Sequence, residues 1–431
     1  METNTIAVII LLSSFVLLIL LRMPIALTLV ASSLITVIYL GIPMPIIGQQ
    51  MVQGLNSFSL LAIPFFILTG QIMSAGGLAT RIVNLAGLMV GRIRGGLAMV
   101  NSVASLFFGN ISGSAVADVS SVGSVMIPMM KKKGYEADYA VGVTIASAIQ
   151  GVVVPPSHNL VLYSLAAGGV SIASLFMAGI VPGAIMLIAL MITAYIIARK
   201  RGYEKSDLIP RSQWGGILLH GFLSLSPAVI ILGGIMSGWF TATESGALAC
   251  LYSFILAFVV YREAPISSVW NILKRTLKTV SMVFFLIGAS ASFGWILAYL
   301  QIPSMVTDLF LNFSDNPIVI LLIINILLLL LGAPMDMAPM ILIMTPILLP
   351  VVTSFGMDPV HFGIVLILNA GIGLLTPPVG TVLFVGCAIG KVSIQQGTKA
   401  MLPFFYALLI VLLIITYIPE VTLWLPSLLV K

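Results

Sequence analysis

Apolar runs of bilayer length follow one another through almost the whole of this chain, and that pattern leaves few folds open. The ~20 residues needed to cross a hydrocarbon core recur throughout, as in 5–21, 172–198 and 402–418. Lipid offers backbone N–H and C=O groups no partner, so a spanning segment must close its own hydrogen bonds. A helix does this within itself, whereas a β-barrel would show short alternating segments. Of the 431 residues, 60% are hydrophobic and 7% charged, against roughly 25% charged in a soluble domain. The expected fold class is therefore an all-α polytopic membrane protein. Met1 to Leu21 has no Lys or Arg before its apolar run and no small-residue cleavage site, so it is expected as a membrane helix rather than a signal peptide. Cys250 and Cys387 each lie in an apolar stretch, which argues against a disulfide or a metal site.

The net charge of +6 is not a nucleic-acid footprint, because the basic residues fall between helices. Short cytoplasmic loops collect Lys and Arg, and this orients ten expected spans. They cover 5–21, 25–41, 58–74, 138–170, 172–198, 217–236, 244–261, 280–300, 360–389 and 402–418. Residues 42–57 and 301–316 are expected as short external loops. Arg81, Arg92 and Arg94 mark 79–96 as an interfacial or partly inserted segment. After Arg262, an amphipathic stretch with Trp270, Lys274, Arg275 and Lys278 is expected along the cytoplasmic surface. The stretch 97–130 begins beside Arg94 and ends at Lys131-Lys132-Lys133, so it enters and leaves on one side as a re-entrant hairpin. A full span would leave one basic cluster outside. Residues 301–375 hold no Lys or Arg, so a second hairpin, 317–350, enters from the periplasm. Only Lys431 of the 19 basic residues is then external, and both termini are periplasmic.

Small and polar residues interrupt both hairpins. The first carries Gly109-Asn110-Ile111-Ser112-Gly113-Ser114 and then Asp118; the second carries Gly332-Ala333-Pro334-Met335-Asp336. Each is followed by a broken helix, 138–170 at Pro155-Pro156 and 360–389 at Pro377-Pro378. A shift of 222 positions aligns the two regions. Pro128 falls on Pro350, Gly134 on Gly356, Gly151-x-x-x-Pro155-Pro156 on Gly373-x-x-x-Pro377-Pro378, and Gly168-x-Val170-Ser171-Ile172 on Gly390-x-Val392-Ser393-Ile394. With hairpins opening to opposite sides, halves 1–210 and 211–431 form an inverted-topology repeat, a mark of secondary transporters. The polar stretch 199–214 is the boundary between them.

Unwound backbone near mid-membrane exposes carbonyls and N–H groups, which with hydroxyls suit Na⁺ and anions. Candidate substrate contacts are Ser114, Ser157, His158 and Asn159 at the first break and Val379, Gly380 and Thr381 at the second. The plain alternative is that the small residues permit close packing and the hydroxyls bond back to their own helices. Asp118 and Asp336 are acids near membrane depth, where ionisable groups are expensive and function is the default hypothesis; Asp336, at a hairpin tip, is the better cation candidate. Glu244 in Thr241-Ala242-Thr243-Glu244 falls in a first helical turn, where it complements the dipole. No G-x-x-x-x-G-K-[ST] loop is present, so ATP does not drive the chain directly, and no catalytic constellation can be argued from spacing.

These residues resemble the large membrane subunit (DctM-like) of tripartite ATP-independent periplasmic (TRAP) transporters over essentially the whole chain. The resemblance rests on residues 63–70 (IPFFILTG), 109–118 (GNISGSAVAD), 123–130 (GSVMIPMM), Pro155-Pro156-Ser157, Thr241-Ala242-Thr243-Glu244, Pro334-Met335-Asp336 and 369–380 (NAGIGLLTPPVG). It implies Na⁺-driven import of an organic-acid anion across a bacterial inner membrane, with sialic acid, C4-dicarboxylates and other sugar acids all open. It implies an elevator mechanism, in which hairpins and broken helices slide against a fixed scaffold. It implies two partners, a periplasmic substrate-binding protein and a small four-helix membrane subunit, the latter expected as a separate chain since none precedes Met1. It implies one Na⁺ among Gly109, Asn110, Ser112, Gly151 and Pro155, and a second among Gly332, Asp336, Gly373 and Thr376. A stand-alone Na⁺/anion symporter is the alternative; a channel is disfavoured because no ring of pore charges is evident.

The hairpin orientations can be tested directly. A cysteine replacing Lys132 should label from the cytoplasm and one replacing Asp315 from the periplasm. Labelling of both from one side would remove the inverted repeat.

Overall fold

The computed structural model of the protein describes residues 2–205, 209–314, 316–377 and 379–429. Asp315, Pro378 and Lys431 lie outside these. Among the described residues the secondary structure is helical, apart from one isolated bridge between Arg94 and Lys205. Among the described residues seven helices are long and apolar enough to cross a membrane: Phe58–Ala75, Ile172–Lys200, Arg211–Met236, Ala242–Val260, Ser268–Tyr299, Met337–Ser354 and Ile394–Tyr417. Six of them coincide with expected spans, and the seventh, Met337–Ser354, is the second arm of the expected outer hairpin. The remaining expected spans are shorter or bent. Glu2–Leu20 and Ile25–Tyr39 are single helices, and 360–389 divides into Pro359–Gly373 and Thr381–Gly390. Ala137–Val153 and His158–Ala166 meet at a 49° bend at the first Pro-Pro.

Three expectations need correction. Residues 42–57 and 301–316 are not plain loops; they hold the helices Pro45–Leu55 and Ile302–Phe313. Both have Pro in the first turn, where its missing N–H leaves no bond unmade. The amphipathic stretch after Arg262 is not separate either. It begins a single 32-residue helix, Ser268–Tyr299. At 1.5 Å per residue that helix is about 48 Å long, beyond the ~30 Å hydrocarbon core. Its polar start therefore extends past the lipid while the axis continues unbroken. Alternation of charge and apolar residues marks where a helix leaves lipid, but not whether it bends there. The interfacial segment is the helix Leu78–Val90, which buries Leu78, Ile82, Leu85 and Ala86. Its Arg81 pairs with Glu263 at 2.6 Å and lies 3.6 Å over the Tyr261 ring.

The helices pack as two groups. One contains Glu2–Leu20, Ile25–Tyr39, Pro45–Leu55, Ala62–Ala75, Arg211–Met236, Ala242–Phe254 and Ser268–Tyr299. The other runs from Gly96 to Lys200 and from Pro317 to Leu429, so each half of the sequence contributes to both. Ala62–Ala75 and Ser268–Tyr299 face the second group across a seam, where a Cβ on Gly70 would come 2.9 Å from the Ser112 Cα. Within the second group, helix starts recur at the 222-residue spacing: Ala137 and Pro359, Ile172 and Ile394. Buried polar pairs fasten it internally. Asn101 donates to the Thr144 hydroxyl at 2.5 Å, and the Ser102 and Ser147 hydroxyls meet at 2.9 Å. Asn369 donates to Asn325 at 2.8 Å, and Asn325 to Thr416 at 3.0 Å. Thr241 and Glu244 form a reciprocal capping box, in keeping with a structural role for Glu244. Cys250 and Cys387 are both free and buried.

Candidate functional site

The first expected hairpin is the helix Gly96–Ser112, a two-residue break, and a run of helix from Ala115 to Lys132. Gly113 ends the first arm in the left-handed conformation (φ 61°), and its N–H reaches the Gly109 carbonyl at 2.7 Å. Ser114 then caps the second arm by accepting from the Ala117 N–H. A wide turn of π-helix follows directly, Val119–Gly123. The second expected hairpin breaks between Gly332 and Met337, and Asp336 stands at the N-terminus of Met337–Ser354 with its side chain making no cap bond.

Each hairpin meets its broken helix backbone to backbone. A Cβ on Gly109 would come 2.8 Å from the Gly151 Cα, and a Cβ on Gly373 would come 2.6 Å from the Gly332 Cα. Only glycine on both sides permits that approach. Asn159 adds a bond from the far side of the first break, donating to the Gly113 carbonyl at 2.7 Å. Ser157 turns inward instead and donates to the Val152 carbonyl at 2.9 Å. Pro155 is buried at that turn.

Buried acceptors near the first break have no donor among the described residues. They are the Asn110 Oδ1 and the Gln150 Oε1, and beside them the Asp118 carboxylate has only the Ser105 hydroxyl near it. Asp118 is fully buried, and its carboxyl carbon would lie 3.7 Å from a Cβ on Gly109. Acceptors buried without donors are costly, and a cation is the partner that satisfies several at once. No cluster of three or more His, Cys, Asp or Glu is found among the described residues. At the second break, Thr376 donates to the Ile372 carbonyl, and the Asn369 Oδ1 and Thr381 Oγ1 are buried and unpartnered.

A cavity of about 550 Å³ lies between the two breaks and the seam. Ser112, Ser114, His158, Asn159 and Asp336 line it, so five of the expected site residues come together. Ser157, Val379, Gly380 and Thr381 do not line it, and Gly380 instead ends the second break in the left-handed conformation (φ 32°). The opposite wall was not legible as a site from composition. It consists of Ile67, Gly70, Gln71 and Ser74 on one helix and Arg275, Thr279 and Val283 on another. Both sets have the spacing of a single helix face, which is the signal that could have found them. Ser74 also meets Ser121 of the first hairpin at 2.6 Å across the seam.

A family model described as the DctM component of tripartite ATP-independent periplasmic transporters matches residues 12–421. The chain belongs to this family. Among its DctM relatives, the sialic acid TRAP transporter large permease protein SiaM of Vibrio cholerae is 44% identical over 381 residues, 88% of this chain and 89% of that protein. The uncharacterized protein YgiK of Salmonella typhimurium is 44% identical over 424 residues, 98% of this chain and 97% of its own. The solved structure of the Alcanivorax borkumensis YdaH transporter has the same fold at 15% identity, with a TM-score of 0.58 over 85% of this DctM chain and 86% of that one.

The glycine contacts generate a stability prediction. Gly151→Ala and Gly373→Ala should each destabilise the purified protein by about 1–3 kcal/mol, the range for overpacking. Gly216→Ala, where a Cβ meets open space, should leave the thermal unfolding midpoint unchanged or raise it. Equal midpoints for all three would mean that the breaks are loosely packed.

Proposed function

We propose that this chain is the large permease of a Na⁺-driven importer of an organic-acid anion in a bacterial inner membrane. The observation that carries the reading is the cavity between two helix breaks, each built on a glycine pair and bordered by unpartnered acceptors. At the first break, Gly109, Asn110, Ser112, Gly151 and Pro155, with Asp118 beside them, offer oxygen ligands of the kind that suit Na⁺. At the second, Gly332, Asp336, Gly373 and Thr376 offer the same kind of set. The Ser114 hydroxyl, the His158 imidazole and the Asn159 amide line the space between, where a hydrophilic anion would sit. The SiaM relative is a sialic acid permease by name, which supports a carboxylated sugar as one substrate class; a C4-dicarboxylate is the other.

The two packing groups support an elevator, with the hairpins and broken helices sliding along the wall formed by Ala62–Ala75 and Ser268–Tyr299. The recurrence of helix starts at one spacing supports the inverted repeat that would let the halves exchange roles. Family membership brings with it a small four-helix membrane subunit and a periplasmic binding protein that delivers substrate. Proteoliposomes holding the chain with its small subunit test the whole reading. Uptake should require Na⁺, need no ATP, and rise strongly when substrate arrives on its cognate binding protein. Strong uptake of free substrate, unchanged by the binding protein, would favour a stand-alone symporter.

Asp336→Asn should raise the Na⁺ concentration for half-maximal uptake, because one charge is removed from an intramembrane cation site. A tenfold rise corresponds to about 1.4 kcal/mol. An unchanged half-saturation value would reduce Asp336 to a residue of the hairpin turn.

A further inference from the structure

Among the described residues lining the cavity between the hairpins, Arg275 is the one Lys or Arg and Asp336 the one Asp or Glu. They sit on different packing groups. Asp336 belongs to the second break, and Arg275 to the long helix Ser268–Tyr299 of the facing wall. Other arginines of the chain are engaged: Arg81 with Glu263 and Tyr261, and Arg201 with Glu136 and Asp138. The Arg275 guanidinium has no hydrogen bond or ion pair among the described residues, and the residue is exposed toward the cavity it lines. One turn on, Thr279 lines the same wall, its hydroxyl donating to the Arg275 carbonyl at 3.1 Å. Lys274 points elsewhere and stacks over Trp270 at 5.3 Å.

We propose that Arg275 is the specificity-determining residue that binds the carboxylate of the transported anion from the facing wall, on the cytoplasmic side of the transport cycle. This rests on the functional reading above and adds the contact that selects an acid over a neutral sugar. A guanidinium presents a rigid fork that matches a carboxylate with two hydrogen bonds. The hairpins supply hydroxyls, amides and an acid, none of which distinguishes a carboxylate from its neutral analogue in this way. Because the fork is fixed to the wall, its contact exists only while the hairpin group stands opposite Arg275. It therefore changes affinity in one arrangement and not in the other, which is how a ligand contact biases a two-state equilibrium. The anion should bind more tightly from the cytoplasmic face than the hairpins alone would allow, and release there should be the step that Arg275 controls.

The test uses proteoliposomes of the chain with its small subunit, and whichever of sialic acid or succinate the unaltered transporter accumulates. R275Q should raise the half-saturation concentration for substrate presented at the cytoplasmic face by about tenfold, near the lower end of the range for losing a hydrogen bond to a charged group. Uptake from the periplasmic face on the binding protein should keep its half-saturation value. R275K, which retains the charge without the fork, should fall between. The carboxamide analogue should bind the unaltered protein and R275Q equally at the cytoplasmic face. An unchanged Na⁺ half-saturation in the same vesicles establishes that the variants are folded and ion-competent. Equal changes at both faces, or none at either, would overturn the assignment while leaving Na⁺-driven import intact. Accumulation of neither acid by the unaltered transporter would remove the functional reading and this inference with it.

Discussion

Gly109 against Gly151 and Gly332 against Gly373 are the contacts on which the rest of the structure depends. In lipid, a helix can be interrupted only where neighbouring protein or water takes up the freed backbone groups. A side chain at any of the four positions would push the hairpin from its broken helix and open that backbone. The close approach explains why so many small residues cluster in an otherwise large-residue sequence. It also explains why polar side chains gather there, since the freed carbonyls and amides need partners at membrane depth. Asn159 on the Gly113 carbonyl and Ser157 on the Val152 carbonyl are two that the chain supplies itself.

Acceptors left without donors are the complement of those satisfied groups. Asn110, Asp118 and Gln150 turn oxygens toward buried space, while the amide nitrogens of Asn101 and Gln150 are already engaged. Spare acceptors outnumber spare donors in this region, where the Ser105 hydroxyl is also buried without a partner, and such a balance favours cations. The cavity beyond is different. It mixes hydroxyls, an imidazole, a carboxylate and a guanidinium, and so can hold a molecule with several kinds of polar group. Ion and substrate would thus meet two chemically distinct surfaces that share the same hairpin tips.

Much of this was legible in the sequence. The four breaks were marked by Gly, Ser and Pro within apolar runs, because the residues that permit a break are the ones that cannot be replaced by packing. The spans followed from length and charge. Ser112, Ser114, His158, Asn159 and Asp336 could be picked out because each stands at a break. The facing wall is harder to read, because Gln71 and Arg275 lie in regular helices and only their spacing along one helix face marks them. Their role comes from what the fold places opposite them. Thr381 and Val379 stand near the second Pro-Pro in sequence, yet neither lines the cavity. The helices Pro45–Leu55 and Ile302–Phe313 escaped for another reason. They are too short for a span and carry no Lys or Arg to mark them as surface helices.

Two of the connections between the packing groups touch each other. Residues 91–95 lead from Leu78–Val90 into the first hairpin, and residues from 201 onward lead from Ile172–Lys200 back toward Arg211–Met236. They are stitched together. Arg94 and Lys205 form the isolated bridge, and the Gly95 N–H donates to the Glu204 carbonyl at 3.1 Å. Tyr203 is packed against Tyr135, with ring centroids 4.2 Å apart, and accepts from the Glu136 N–H. These are two of three covalent connections between the packing groups, the third running through Ile302–Phe313, and because the two are held to one another, lengthening either alone would leave it pinned to its neighbour.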